Sequence, residues 1–380
     1  MRIVFFTHER EFGGASRALV TLINEIEEKY EIVVIAPFKN AKIFDYLPDS
    51  VIKIHSFYSW WSVPNNASVI KRFAIKMLYR INFISQFRLT KIIKKMDVDL
   101  IHSNTSVIDI GAKIANKLNI IHLWHFREFH DNRLSFIKGN KKAYDFINKH
   151  TNKVIYVSKA IKNFYKNYID NRLSNIVYDG IPNKFTIRKN YKNNNELLFL
   201  LLGSLEKNKG QDLVVEASKM LVDDGITDFK IIFAGNDNLN YYNYLKKKIS
   251  DYNLDKNIDY IGFQKNVLAL RKKCNVELMC SPMEAFGLVT VEGMMAGNLI
   301  IGSNSGGTKE LIQNNITGIL YKKNDITDLK NKMKYVIRNK SIIEKYGTAA
   351  KKYAINNFSS KVHAEKVLKI YNEMLGVNDD

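Results

Sequence analysis

The amino-acid sequence predicts an α/β protein built from two parallel-sheet units. At 380 residues the chain exceeds the roughly 250–300 residues at which one hydrophobic core usually stops growing. Short β-branched runs recur between segments of helical periodicity, the alternation that produces a parallel sheet flanked by helices. A polar, Asn-rich stretch at 183–196, "NKFTIRKNYKNNNE", follows the turn "YDGIPN" and divides these runs into two sets.

The first set is "RIVFF", "EIVVIA", "DLIHS", "IIHLWH" and "KVIYVS"; the second is "LLFLLLG", "FKIIFAG", "NIDYIGF", "VELMCS" and "NLIIGS". Each is short, rich in Val, Ile and Leu, and bounded by polar or glycine-containing turns, as buried parallel strands are. The last segments, "SIIEKYGTAAKKYAINNF" and "SSKVHAEKVLKIYNEML", have helical periodicity, with Ser359 or Ser360 as an N-cap between them. The expected organisation is a first domain over 1–185, a second over 190–355 and a final helix, 356–380, crossing back to the first.

Hydrophobic residues make up 46% of the chain and aromatics 12%, ample for packed cores, while apolar runs such as Leu197–Leu202 fall far short of a membrane span. The start, "MRIVFFTHER", lacks the pattern of a secretory signal, and Cys274 and Cys280 are the only cysteines. A reducing, cytoplasmic setting is therefore expected. Two cysteines in an apolar strand support neither a disulfide framework nor a cysteine metal site. The formal charge of +20 is uneven: residues 1–190 hold 31 basic against 16 acidic residues, the remainder 27 against 22.

In parallel sheets ligands collect beyond the C-terminal ends of the strands. After the first run, "THEREFGGASRALVTL" places Gly13 and Gly14 just before a helix, where backbone N–H groups can meet an anion. The spacing is not the dinucleotide fingerprint, and no acidic residue ends the second run, which disfavours nicotinamide binding. His125, in "LWHFREF", ends another strand and His102 is similarly placed. Such a histidine serves either as a structural hydrogen-bonder or in acid–base work. In the second half, "LLGSLEKNKGQDLVVEA" sets Lys207, Lys209 and Gly210 before a helix, a position where cations are awkward unless an anion such as phosphate lies between. No Walker-type loop is present. In "SPMEAFGLVTVEGMMAG" two glutamates, Glu284 in a loop and Glu292 one to two turns into a helix, bracket the N–H groups of Phe286, Gly287 and Leu288, a seat for a diphosphate flanked by two acceptors of hydroxyl hydrogen bonds.

"EAFGLVTVEGMMAG" resembles the glutamate, seven residues, glutamate motif of the retaining glycosyltransferases of family 4. The likeness extends through "FGGASRAL", "VSKAIKNFY", "VYDGIPN", "GSLEKNKGQDLVVEA" and "SNSGGTKELIQNNITGILY", in the family's order. The resemblance implies the GT-B fold, two Rossmann-like domains with parallel sheets facing across a cleft. It also implies that Glu292 binds the donor ribose hydroxyls and that Glu284 contacts the donor sugar and the charge forming at its anomeric carbon. Phe286, Gly287 and Leu288 would serve the diphosphate, with Lys209 as cationic partner and Gly14 facing the same phosphates. His125 corresponds to the histidine that reaches the transferred sugar, and Gly262 and Phe263 lie where the family packs the base. Where the family often has Arg, this chain has Ser204, so phosphate neutralisation leans on Lys209 and Lys207. The glycine loop also lacks the acidic residue that often follows its alanine.

The expected activity is retaining transfer of a hexose-type sugar from a nucleoside diphosphate sugar, a UDP-sugar being favoured, to an acceptor hydroxyl on a lipid-linked glycan of bacterial surface polysaccharide. The sugar nucleotide is a co-substrate; no cofactor is implied. Asp97-Val98-Asp99 reads as a solvated turn rather than a metal site, and metal is unnecessary. Two alternatives share parts of this pattern. A sugar-nucleotide 2-epimerase would interconvert a donor without an acceptor. A nucleic-acid binder would account for the charge, but the basic residues are not interleaved with a recognised DNA or RNA module, so no nucleic acid is expected.

The stretch "SVIKRFAIKMLYRINFISQFRLTKIIKKMD" bears on location. Between Asp49 and Asp97 there is no acidic residue and there are nine basic ones. At about 100° per residue Ile70, Phe73, Ala74, Met77, Leu78, Ile81 and Ile84 share a helix face, which is expected to pack on the domain. The opposite face interleaves Lys71, Arg72, Lys76 and Arg80 with Ile75, Tyr79 and Phe83, a mixture suited to an anionic membrane surface. The enzyme is accordingly expected at the inner face of the cell membrane.

Overall fold

The computed structural model describes residues 1–131, 134–189, 191 and 197–377. Part of the polar stretch at 183–196, namely 190 and 192–196, lies outside the described residues. The chain forms two compact units: residues 1–180 with 360–380, and residues 181–359. The expected bounds, 185/190 and 355/356, lie within ten residues of these divisions.

Unit 1 begins β1 (Arg2–Phe6), α1 (Gly14–Ile26), β2 (Glu31–Ala36), β3 (Ile52–His55), β4 (Ser62–Pro64), α2 (Val69–Lys94), β5 (Leu100–Ser103), α3 (Ile110–Leu118) and β6 (Ile121–Phe126). It continues β7 (Leu134–Phe136), α4 (Asn140–His150), β8 (Lys153–Tyr156), α5 (Lys159–Tyr165) and β9 (Ser174–Ile176). Seven strands form a parallel sheet in the order β3-β2-β1-β5-β6-β8-β9, with β4 and β7 as a separate antiparallel pair. The period-two alternation of a strand sends Ile3 and Phe5 to one core and Val4 and Phe6 to the other.

Unit 2 runs β10 (Leu198–Leu202), α6 (Gln211–Asp223), β11 (Lys230–Ala234), α7 (Leu239–Asp251), β12 (Ile258–Tyr260), α8 (Val267–Lys273) and β13 (Val276–Met279). It is completed by α9 (Leu288–Met295), β14 (Leu299–Ser303), α10 (Thr308–Leu311), β15 (Ile319–Tyr321), α11 (Ile326–Arg338) and α12 (Ser341–Phe358). Its six parallel strands are ordered β12-β11-β10-β13-β14-β15. In both sheets the first strand of the unit lies centrally, so the order reverses beside it: between β1 and β5, and between β10 and β13. Such a switch point leaves a crevice at the strand C-termini, because the connections on its two sides run in opposite directions.

The last helix, α13 (Ser360–Leu375), belongs to unit 1. It packs along α1, and its fully buried Tyr371 hydroxyl lies 2.6 Å from His102 Nδ1. Unit 1 buries a group of histidines. His122 sits between Ser103 and Thr151, His130 between Ser62 and Tyr165, and His363 Nδ1–H donates to the Tyr178 carbonyl at 2.7 Å. His102 and His125 stack with centroids 5.4 Å apart. Burial disfavours the imidazolium, so His122 is pushed down to about 3 and His130 to about 4. Burial, then the Arg127 guanidinium, holds His102 and His125 well below the usual range, and burial lowers His363.

The structure corrects the expected orientation of α2. Ile70 is 83% and Phe73 65% exposed, and Met77, Leu78, Ile81 and Ile84 are exposed with them. Tyr79, expected on the solvent face, is 8% exposed and donates its hydroxyl to Asp109 Oδ2 at 2.6 Å. The buried side is made of Tyr79, Asn82, Ser85, Leu89, Thr90 and Ile93. Short polar residues win this face because they satisfy a loop: Asn82 accepts from the Ser59 N–H and donates to the Ser59 carbonyl, and Ser85 donates to the Phe57 carbonyl. Lys71, Lys76, Arg80 and Phe83 are exposed and Arg72 half-buried.

The neutral histidines make stability fall in acid. Their folded pKa lies below the unfolded value near 6.5, so the unfolded chain binds more protons as pH drops through that value. Each of the five therefore takes up its proton only on unfolding, which lowers stability as the pH falls below that value. Calorimetric melting of the full chain should show a midpoint that is flat above pH 7 and descends steeply from pH ~6.5 toward ~4. His122→Asn should reduce that slope, and a flat profile would contradict neutral burial.

Candidate active site

The crevice of unit 2 collects the residues that the sequence singled out. After β10 the chain passes Gly203 and half-buried Ser204, whose carbonyl accepts from Gln211 Nε2 at 2.9 Å, and turns through Lys207–Lys209 into α6. Gly210 makes this path possible. Its φ is +77°, and a Cβ there would stand 2.6 Å from the Cys280 carbonyl oxygen at the end of β13. The close approach brings Lys209 Nζ to 2.9 Å from Glu284 Oε1, with both side chains about 30% exposed. Glu284 is fixed from the other side, since its carbonyl accepts the Gly307 N–H at 2.8 Å.

Phe286 is buried against Phe358, Gly287 caps α9 in a left-handed conformation, and Leu288 opens the helix half-buried. The first-turn N–H groups of such a helix have no intrahelical acceptor and carry partial positive charge. Lys209, Glu284 and the α9 N-terminus therefore form one partly open polar site in which an anion meets a cation and helix N–H groups. Phe263 is exposed on the loop after β12.

Glu292 is held from beneath. Arg271 at the end of α8 is 0% exposed and donates from Nη1 to Glu292 Oε2 at 2.8 Å, from Nε to Glu277 Oε1 at 3.1 Å and from Nη2 to the Val289 carbonyl at 3.3 Å. Burial opposes the charge on Arg271, but the two carboxylates outweigh it and raise its pKa above the usual value. Asn298 Nδ2 donates to Glu277 Oε1 at 2.6 Å, and Lys189 donates to Asn298 Oδ1 and to the Cys274 and Arg271 carbonyls. Gly293 has to be glycine here, because a Cβ would lie 2.8 Å from the Glu277 carboxylate. Burial pushes Cys274 and Cys280 up to about 12, which leaves both as thiols.

Arg271, Glu277 and Asn298 were missed in the sequence. The signal was present in "VELM", a glutamate inside an otherwise apolar strand, which requires a buried counter-ion.

In unit 1, Gly14 is the first residue of α1, but the N-terminus of that helix is met by the chain's own carboxylate: Ser16 N–H donates to Glu9 Oε2 at 2.8 Å. His125 is 0% exposed, with Arg127 Nη2 donating toward its Nδ1 at 3.3 Å. As placed, it presents no surface to a ligand. Arg127 Nη1 also reaches both Asp179 oxygens at 2.6 Å. Among the described residues no group of three or more His, Cys, Asp or Glu side chains could hold a metal ion.

Two parallel α/β units, each with its first strand central, have the architecture of the GT-B fold, and the lysine–glutamate pair at the second switch point suits a glycosyltransferase. The family models agree. "Glycosyltransferase Family 4" matches residues 12–184 and "Glycosyl transferases group 1" matches 183–353, so the chain belongs to the group 1, family 4 glycosyltransferases. It is 24% identical over 384 residues, covering 99% of this chain and 97% of the relative, to the GalNAc-alpha-(1->4)-GalNAc-alpha-(1->3)-diNAcBac-PP-undecaprenol alpha-1,4-N-acetyl-D-galactosaminyltransferase of Campylobacter jejuni. It is also 24% identical over 372 residues (92% and 90%) to the UDP-Gal:alpha-D-GlcNAc-diphosphoundecaprenol alpha-1,3-galactosyltransferase of Escherichia coli. The Anabaena protein Alr3699/HepE in complex with UDP shares the fold at TM-score 0.80 and 17% identity, over 98% of this chain and 100% of that one.

Removing Arg271 strands two buried carboxylates, so Arg271→Met should cost about 3–5 kcal/mol in urea unfolding. Glu284→Gln, at a half-exposed pair, should cost less than ~1 kcal/mol. Equal effects would show that the buried network does not organise unit 2.

Proposed function

We propose that this chain transfers a hexose-type sugar, with retention of anomeric configuration, from a UDP-sugar to a hydroxyl of a lipid-linked glycan in surface polysaccharide assembly. The observation that carries the proposal is the Lys209–Glu284 pair, 2.9 Å apart, beside the N-terminus of α9 with Glu292 one turn in. Relatives named as acting on undecaprenol-diphosphate-linked sugars, and a UDP-bound protein of the same fold, support the donor and acceptor classes.

The chemistry follows from the charges. As the bond from the anomeric carbon to the diphosphate breaks, negative charge grows on the phosphate and positive charge on the carbon. Lys209 and the first-turn N–H groups of α9 stabilise the phosphate, and the Glu284 carboxylate, released from Lys209 by the arriving phosphate, faces the sugar. Glu292, oriented by the buried Arg271, accepts a hydrogen bond from a ribose hydroxyl. The acceptor oxygen bonds the carbon on the face the diphosphate leaves, and its proton passes to the departing phosphate oxygen. No metal or cofactor takes part, and no role is assigned to the enclosed His125. The enzyme works at the cytoplasmic face of the membrane, where its acceptor is anchored.

Three measurements test this. UDP-sugars should raise the melting temperature more than GDP- or ADP-sugars, because a tight ligand stabilises by mass action; a larger shift with another base would overturn the donor. NMR of the product should show the donor's anomeric configuration, and inversion would overturn the mechanism. Glu284→Gln should lower kcat about 100-fold with little change in KM, as expected for an interaction made in the transition state. Unimpaired turnover in that variant would remove Glu284 from the chemistry.

A further inference from the structure

We infer that α2 docks this protein on an anionic bilayer by lowering its exposed apolar seam into the headgroup–acyl boundary, while its polar face remains bound to unit 1. The inference deepens the membrane part of the proposed function and is argued from α2 alone.

One side of the helix is committed to the fold. Tyr79 is tied to Asp109, Asn82 and Ser85 to the backbone at Ser59 and Phe57, and Leu89 and Ile93 sit in the unit 1 core. On the other side Lys117 Nζ stands 5.9 Å from the Phe87 ring centroid, and the apolar side chains stay open to solvent. Ile70, Phe73, Met77, Ile81, Ile84 and Phe87 are all exposed, 42% at the least. At 100° per residue these six fall within an arc of about 120°, a continuous stripe rather than scattered surface residues. A stripe of this length exposed to water marks a surface that something covers.

Charge selects the occupant. Lys71, Lys76, Arg80, Arg88 and Lys91 are exposed along the same helix, and no acidic residue occurs from 50 to 96. A second copy of this chain, seam against seam, would bring two such basic sets together without a counter-charge. An anionic lipid surface supplies both the apolar medium and the counter-charge. The basic side chains already lie along the seam: Lys91 Nζ is 4.3 Å from the Phe87 ring centroid, and Arg80 Nη1 is 3.8 Å from Met77 Sδ. In that posture the aliphatic stems share the apolar layer while the charged ends reach lipid phosphates. Because the opposite face is bonded to unit 1 along the helix, α2 meets the surface lengthwise, in its plane.

The test is sedimentation of the full-length protein with phosphatidylcholine vesicles, with and without phosphatidylglycerol, in low and high salt. The wild type should bind the phosphatidylglycerol vesicles at least about tenfold more tightly than the neutral ones, and salt should weaken that binding. The triple variant Ile70→Ser, Phe73→Ser, Met77→Ser should bind at least about tenfold more weakly with an unchanged melting temperature, since those side chains are exposed. So should Lys76→Glu, Arg80→Glu, Arg88→Glu. Wild-type binding by the serine variant would overturn the inference. Equal binding to both vesicle types would overturn it as well. A wild-type dimer in analytical ultracentrifugation that the serine variant abolishes, with no vesicle binding, would assign the seam to self-association instead. Neither donor nor acceptor is present in these experiments, so their failure and that of sugar transfer are read separately.

Discussion

A guanidinium with no access to water, placed between two carboxylates, is the constraint around which unit 2 is arranged. An isolated ion in such a position would cost many kcal/mol, and even a paired one is tolerable only when every donor and acceptor is used. Arg271 meets that demand by reaching Glu277 on β13, Glu292 on α9 and the Val289 carbonyl, while Asn298 donates to Glu277 and is itself held by Lys189. The consequence is geometric. α8, β13, α9 and the start of β14 are tied at one point, and the loop carrying Glu284 leaves that point with little freedom.

Unit 1 solves the same problem the opposite way. Burial keeps the imidazoles of His102, His122, His125, His130 and His363 neutral, and Arg127 is matched by Asp179. Burial alone would raise the Glu128 carboxyl, but His8 and hydrogen bonds from Thr105 and Ser106 hold it below the usual range. At the N-terminus of α1 the chain supplies its own anion in Glu9. The polar chemistry of unit 1 is therefore largely internal to its fold, whereas in unit 2 Lys209 and Glu284 remain half open to water.

Helix α2 shows how a fold can spend polar residues inward and apolar residues outward. Asn82 and Ser85 are worth more against the unsatisfied backbone of a loop than in water, because buried N–H and C=O groups without partners cost about 1–3 kcal/mol each. Ile70 and Phe73, which contact no such loop, are left exposed.

Strand alternation, the two sets of runs and the positions of Glu284, Glu292 and Lys209 could be read from the sequence because each depends on neighbours within a few residues: β-branched runs, turn residues, and the fixed reach of a loop entering a helix. The glutamate spacing was likewise local, and so was its likeness to a known family. What only the tertiary structure decided are contacts between residues distant in the chain. The pairing of Arg271 with Glu292, the enclosure of His125 and the outward face of α2 belong to this class. The periodicity of α2 gave two faces but not their direction, since hydrophobicity scales assign Asn82 and Ser85 to water, and the backbone they satisfy, at Phe57 and Ser59, lies more than twenty residues away. A side chain's preference can be read from its own chemistry, but its partner is set by the packing that brings two segments together.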